Sequence, residues 1–134
     1  MSELYKDDKM LATSIRNILI IDDDIKILSI IEKQLRNQNF NLEMINDPVV
    51  ALQKIFQKEY DLIICDIRME PISGLEIIKK VRENRPGLPV IILTAYPDDQ
   101  IKNKASNIGS SDFLVKPVRR DELIKAINNV RNRY

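Results

Sequence analysis

At 134 residues the chain has the length of one domain, and at that size roughly two-thirds of the unfolded surface can be buried around a single core. Its 21 basic and 20 acidic residues leave a net charge of +1, which gives no electrostatic footprint for nucleic acid. Histidine is absent and cysteine occurs once, which excludes Ser-His-Asp hydrolysis, Cys-His nucleophiles, His-ligated zinc, phosphohistidine on this chain and any intramolecular disulfide. Any chemistry must come from carboxylates, Lys, Ser/Thr, Tyr, the one thiol or a bound cofactor. No apolar run approaches the roughly 20 residues that span a bilayer. The opening segment MSELYKDDKMLATSIRN is too charged for a signal peptide. The expectation is a cytoplasmic protein with no membrane insertion and no direct nucleic-acid binding.

Residues 1–15 read as an N-terminal extension and residues 16–134 as one domain. Within the extension, Met10, Leu11 and Ile15 fit either a helical turn or a loose arm. From Asn17 onward strands and helices alternate. Ile18-Leu19-Ile20-Ile21 is a short continuous apolar run, the pattern of a strand buried on both faces. Ile27, Leu28, Ile31 and Leu35 then recur at helical spacing. Phe40, Leu42 and Met44 alternate with polar residues, which predicts a half-exposed strand at a sheet edge. Asp47-Pro48 reads as an N-cap with proline in the first helical position, and Leu52, Ile55 and Phe56 as that helix's inner face. Leu62 to Cys65 is the third strand. Ser73-Gly74-Leu75-Glu76 fits a capping box, and Leu75, Ile78 and Val81 carry the helix that Arg85-Pro86-Gly87 stops. Val90-Ile91-Ile92-Leu93 is the fourth strand, followed by a more polar helix with Ile101, Ala105 and Ile108. Phe113-Leu114-Val115 is the fifth strand, and Leu123, Ile127 and Val130 mark the last helix.

Five strands alternating with five helices over short connections predict an α/β fold with a doubly wound parallel sheet. In such folds the site lies beyond the carboxyl ends of the strands. Those ends carry Asp22-Asp23-Asp24, Asp66, Thr94-Ala95 and Lys116-Pro117. If the first and third strands are neighbours, Asp22, Asp23 and Asp66 converge, and their mutual repulsion calls for a hard cation such as Mg2+. Asp66 could then serve as a nucleophile toward a phosphoryl group, with the Thr94 hydroxyl and the Lys116 ammonium on its oxygens. Taken singly, each feature has a plain structural reading. The aspartate run suits a helix N-cap, with Asp24 in that role. Asp66 can open a turn, Thr94 can cap one, Lys116 can be solvated and Phe113 can be core.

The set IIDDD, DIRMEPISG, LTAY and FLVKP resembles the receiver domain of two-component response regulators, of which the chemotaxis regulator is the familiar single-domain form. The resemblance spans about Asn17 to Arg133, with each motif at a predicted strand end and in the family's order. It implies a flavodoxin-like five-stranded parallel sheet in the order 2-1-3-4-5. It further implies that Asp66 is the phosphoacceptor, that Asp22 and Asp23 bind Mg2+ with Asp23 the direct ligand, and that the backbone carbonyl of Arg68 completes the metal site. Thr94 and Lys116 would contact the phosphoryl group, and Phe113 would turn inward with Thr94 on activation. Ala95 would leave access to the acceptor, Arg68 and Tyr96 would tune the phosphoryl lifetime, and the Lys116-Pro117 peptide would be cis. The implied partners are a histidine kinase or histidine phosphotransfer protein and an unidentified effector. A homodimer through helix 4, strand 5 and helix 5 is also open, as is whether the domain stands alone or belongs to a longer regulator. On this reading the chain is a signalling phosphoacceptor, not an enzyme, although it assists its own phosphorylation and dephosphorylation.

The chain departs from the family at Glu70, where relatives carry proline and this sequence delays it to Pro71. Glu70 either points to solvent or adds negative charge near the metal. Two rival functions remain. One is a haloacid-dehalogenase-like phosphatase using Asp22 and Asp24 as its D-x-D pair, although Asp121-Glu122 lie in a helical pattern where that family needs a strand-end acidic pair. The other is a phosphorylation-independent interaction module. Cys65 reads as core, Asp98 and Asp99 as caps of the fourth helix, and Arg119, Arg120, Arg131 and Arg133 as solvated or as part of a partner surface.

Overall fold

The computed structural model describes residues 15–133. Strands β1 (Asn17–Ile21), β2 (Asn41–Ile45), β3 (Leu62–Asp66), β4 (Val90–Thr94) and β5 (Asp112–Val115) alternate with helices α1 (Ile25–Gln34), α2 (Pro48–Gln57), α3 (Gly74–Asn84), α4 (Asp99–Asn107) and α5 (Arg120–Arg133). The strands form one parallel sheet in the order β2-β1-β3-β4-β5, the order that the family resemblance implied. Met10 and Leu11 lie outside the described residues, whereas Ile15 is buried.

Side chains alternate across a strand, so the apolar runs of β1, β3 and β4 feed two cores at once. Ile18, Ile20, Leu62, Ile64, Ile91 and Leu93 pack with Leu28, Ile31 and Leu35 of the α1 region and Leu123, Ile127 and Val130 of α5. Leu19, Ile21, Ile63, Cys65, Val90 and Ile92 face Ala51 and Ile55 of α2, Ile77, Ile78 and Val81 of α3, and Ala105 of α4. The edges are wetter: β2 has no fully buried residue, and neither has β5.

One expected inner-face residue is on the outside. Phe56 is 46 % exposed, while Ala51 and Ile55 are fully buried. Residues four apart stack on one helix face, and the next residue rotates about 100° away. The small Ala51 pairs with Ile55 against the sheet, which turns Phe56 onto the exposed stripe with Val49.

The helix starts follow from side-chain caps. Asp24 Oδ1 accepts the Lys26 N–H at 2.9 Å, Asp47 Oδ1 accepts the Val49 N–H at 2.9 Å ahead of Pro48, Ser73 Oγ accepts the Glu76 N–H at 3.2 Å, and Asp98 Oδ1 accepts the Gln100 N–H at 2.7 Å. Asp99 occupies the first turn of α4 instead of its cap. Two arginines tie elements together. The Arg82 guanidinium donates to the Gly109 carbonyl from Nε at 2.9 Å and Nη2 at 2.7 Å, and also to the Leu88 carbonyl. Gly109 has φ of +99°, and a Cβ there would stand 2.7 Å from Arg82 Nε. Arg120, expected to be solvated or at a partner surface, donates to the Gln34 carbonyl at 3.1 Å and closes the end of α1. Arg119 is exposed and Arg131 is half-buried.

Candidate functional site

Asp22 follows β1, Asp66 ends β3, Thr94 ends β4 and Lys116 follows β5. The strand register aligns these ends: Ile21 stands opposite Cys65, Asp66 opposite Leu93, and Thr94 opposite Val115. Among the described residues, the three buried polar ones are therefore neighbours: Asp22, Asp66 and Thr94. They line a cavity of about 210 Å³ together with Asp23, Asp24, Arg68, Ala95, Tyr96 and Lys116. Every residue expected at the phosphoryl site is thus brought to one rim, except Phe113.

Asp22, Asp23 and Asp66 each offer a carboxylate oxygen within 4.8 Å of the others. Asp22 Oδ1 accepts the Asp24 N–H at 2.9 Å, and its Oδ2 pairs with Lys116 Nζ at 2.7 Å. The same ammonium is 3.3 Å from Asp66 Oδ1. Burial, followed by the Asp22 charge, pushes the Asp66 carboxyl up to about 6 against the pull of Lys116. Burial likewise raises Asp22. Burial opposes charge on Lys116 too, but the two carboxylates outweigh it and hold the ammonium above its usual range. One ammonium is thus shared between two of the three acids, and burial is the main cause that raises the Asp66 and Asp22 carboxyls. A divalent cation with oxygen ligands fits this donor set.

Thr94 Oγ1 accepts the Tyr96 N–H at 3.1 Å and donates to the Tyr96 carbonyl at 3.3 Å. The guanidinium of Arg68 lies 4.7 Å from the centre of the Tyr96 ring. Phe113 is half-buried in β5 opposite Ile92. That places it two register positions from Thr94 on the same face of the sheet, with Lys102 Nζ 5.9 Å over its ring. The Lys116-Pro117 peptide is cis, and so is Glu70-Pro71. Glu70 is exposed and stands outside the carboxylate cluster. Asp24 caps α1 through the Lys26 N–H and also lines the cavity beside Asp22. Cys65 is buried, its thiol is raised by burial and by the Asp66 and Asp22 charges, and it donates to the Asp66 carbonyl at 3.2 Å.

Sequence reasoning missed Gly74 as part of this site. A Cβ there would sit 2.2 Å from the Asp66 carbonyl oxygen and 2.8 Å from the Ile67 Cα. The Gly74 N–H donates to the Ile67 carbonyl at 2.9 Å. The first turn of α3 therefore presses directly on the backbone that carries Asp66. The signal was the glycine after Ser73, which a capping box does not require.

A family model for the response regulator receiver domain matches residues 18–128. The chain belongs to the response regulator receiver family. Among solved structures, it resembles a CheY-like receiver domain protein from Methanospirillum hungatei JF-1, with a TM-score of 0.84 and 28% identity over 90% of this chain and 96% of that one. The receiver domain of the Francisella response regulator 1452 is similar at 32% identity and a TM-score of 0.81, covering 88% and 98% of the two chains. Among curated relatives, this receiver is 36% identical to the response regulator ArlR of Staphylococcus epidermidis over 87% of its own length and 53% of the relative's. It is also 36% identical to the transcriptional regulatory protein ZraR of Klebsiella oxytoca, over 80% of its own length and 24% of the relative's. The chain therefore spans between a quarter and about half of these regulators. Among the described residues no helix is long and apolar enough to cross a membrane.

Proposed function

We propose that this receiver takes a phosphoryl group from a partner phosphohistidine onto Asp66 and switches conformation in response. The observation that carries the reading is the convergence of Asp22, Asp23 and Asp66 within 4.8 Å, with Lys116 bridging two of them. Asp22, Asp23, Asp66 and the Arg68 backbone carbonyl would hold Mg2+, with Asp23 the more direct of the two acids after β1. Bound there, Mg2+ neutralises carboxylate and phosphoryl charge.

Asp66 is the residue at the end of a rigid buried strand, so its carboxylate is aimed and not mobile. An Asp66 oxygen attacks phosphorus, a P–O bond forms and the P–N bond to the partner's imidazole breaks. The electron pair leaves with that imidazole nitrogen, which takes a proton from water. The Lys116 ammonium balances charge on the phosphoryl oxygens, and the Thr94 hydroxyl donates to one of them. Phe113 then moves inward on the face it shares with Thr94, and the surface of α4, β5 and α5 changes as a shift between two populations. Ala105 is the single fully buried residue of α4, which suits an element of low local stability. Attack of water at phosphorus releases inorganic phosphate and resets the domain. Arg68 and Tyr96 flank the cavity and set the rate of that step. The partners on this reading are a histidine kinase or histidine phosphotransfer protein and an effector reading the α4–β5–α5 face, a face that also suits a homodimer; the setting is the cytoplasm.

Phosphotransfer from purified, autophosphorylated histidine kinases tests the proposal. Label should pass rapidly to this chain from one kinase in the presence of Mg2+, and Asp66→Asn should accept none. Equal labelling of Asp66→Asn would sink it.

A further inference from the structure

Thr94 carries the hydroxyl that the proposed switch uses, and in this structure that hydroxyl is engaged elsewhere. Its Oγ1 is bonded to both the N–H and the carbonyl of Tyr96, at 3.1 and 3.3 Å. This is a local turn that a Ser or Thr side chain makes with its own backbone. Thr94 is fully buried, so water offers the hydroxyl no ready alternative. Tyr96 in turn has a partner. The residue is 62 % exposed, and the Arg68 guanidinium stacks on its ring at 4.7 Å. Arg68 belongs to the loop after β3 and Tyr96 to the loop after β4, and both line the cavity over Asp66. The two loops therefore meet in one contact across the mouth of the site.

We propose that the Arg68–Tyr96 stack is a latch that keeps the Thr94 hydroxyl bonded to the Tyr96 backbone, making Arg68 and Tyr96 positioning residues for the phosphoryl switch. The proposal rests on the reading of Asp66 as phosphoacceptor. For Oγ1 to reach a phosphoryl oxygen on Asp66, its bond to the Tyr96 carbonyl must break. The backbone at Tyr96 then shifts relative to Thr94, and the ring shifts relative to Arg68. A contact made in only one of two conformations biases their balance by its own strength. An exposed cation–π contact of this kind is worth about two- to fivefold in an equilibrium. The sign of the effect separates the latch from a simpler role. Breaking a latch favours the conformation that holds the phosphoryl group. Removing a cation that merely attracts the anion disfavours it.

The test is calorimetric titration of the full chain with beryllofluoride in saturating Mg2+, using variants at two exposed side chains. The latch predicts that Arg68→Gln and Tyr96→Leu each tighten beryllofluoride binding about two- to fivefold. It also predicts that Tyr96→Phe, which keeps the ring, matches the wild type, and that the Arg68→Gln/Tyr96→Leu double variant binds no tighter than either single one. Weaker binding by Arg68→Gln with Tyr96→Leu unchanged would overturn it in favour of a charge effect. Additive gains in the double variant, or Tyr96→Phe behaving like Tyr96→Leu, would also overturn it. Failure of the wild type to bind beryllofluoride would overturn the phosphoacceptor reading and the latch together, whereas the other failures remove the latch alone.

Discussion

Lys116 stands 2.7 Å from Asp22 and 3.3 Å from Asp66, so the shorter contact of the bridging ammonium is to the carboxylate after β1. Asp22 is fully buried and Lys116 nearly so, at 0% and 14% side-chain exposure. A buried pair broken on one side leaves an uncompensated charge, at a typical cost of about 3–5 kcal/mol. Lys116→Met should therefore destabilise the metal-free domain by roughly the lower end of that range, read from urea unfolding at neutral pH. Adding Asp22→Asn should recover part of the loss, because the orphaned charge goes with it. An unchanged urea midpoint in Lys116→Met would show that the pair contributes nothing.

Gly74→Ala tests the close approach behind the site. The new methyl would meet the Asp66 carbonyl oxygen at 2.2 Å, and that neighbour is backbone, which cannot step aside alone. Overpacking of this kind costs about 1–3 kcal/mol. The expected result is that loss of stability together with a fall in acetyl phosphate labelling larger than the unfolded fraction explains. Wild-type stability and labelling would mean that the α3 turn does not set the position of Asp66.

The raised Asp66 carboxyl gives a pH signature for the metal-free protein. Its ordinary value is 3.8, and burial with the Asp22 charge lifts it to about 6. The folded state thus binds this proton more tightly than the unfolded state. The stabilising contribution is complete below about pH 4 and is lost as pH rises through about 6. Asp66→Asn, which removes the charge, should then be more stable than wild type above pH 7 by on the order of 3 kcal/mol. The advantage should shrink toward zero near pH 4. Urea melts in EDTA at the two pH values decide it, and a pH-independent difference would contradict the assigned cause.

The orientation of α2 makes a contrast between adjacent residues. Ile55 is fully buried and Phe56 is 46 % exposed. Ile55→Ala should cost about 2–5 kcal/mol through lost burial and a cavity. Phe56→Gln should stay within about 0.5 kcal/mol of wild type. A large loss in Phe56→Gln would put that ring back in the core.

The same pair shows where sequence reading reached its limit. The strands were legible because β1, β3 and β4 are buried on both faces, so each is an unbroken apolar run. The helices were legible from spacing, but α2 offers Leu52, Ile55 and Phe56 together, and hydrophobicity does not say which one faces away. The small Ala51 decided that. The site was legible because parallel sheets collect strand ends on one rim, so Asp22, Asp66, Thr94 and Lys116 had to be neighbours. Contacts that loops and helix ends make with other elements were not legible. The Arg68–Tyr96 stack, the Arg82 hold on Gly109 and the pressure of Gly74 on Asp66 depend on backbone paths that no periodicity encodes.

The central claim is that Asp66 is the phosphoacceptor. It is tested most directly by incubating the protein with acetyl phosphate and Mg2+, then taking an intact mass and mapping the modified peptide. The account predicts one added phosphoryl group, located on Asp66, absent without Mg2+ and absent in Asp66→Asn. An adduct on Asp22 that persists in Asp66→Asn would contradict it and return the chain to a phosphatase-like use of its first aspartates.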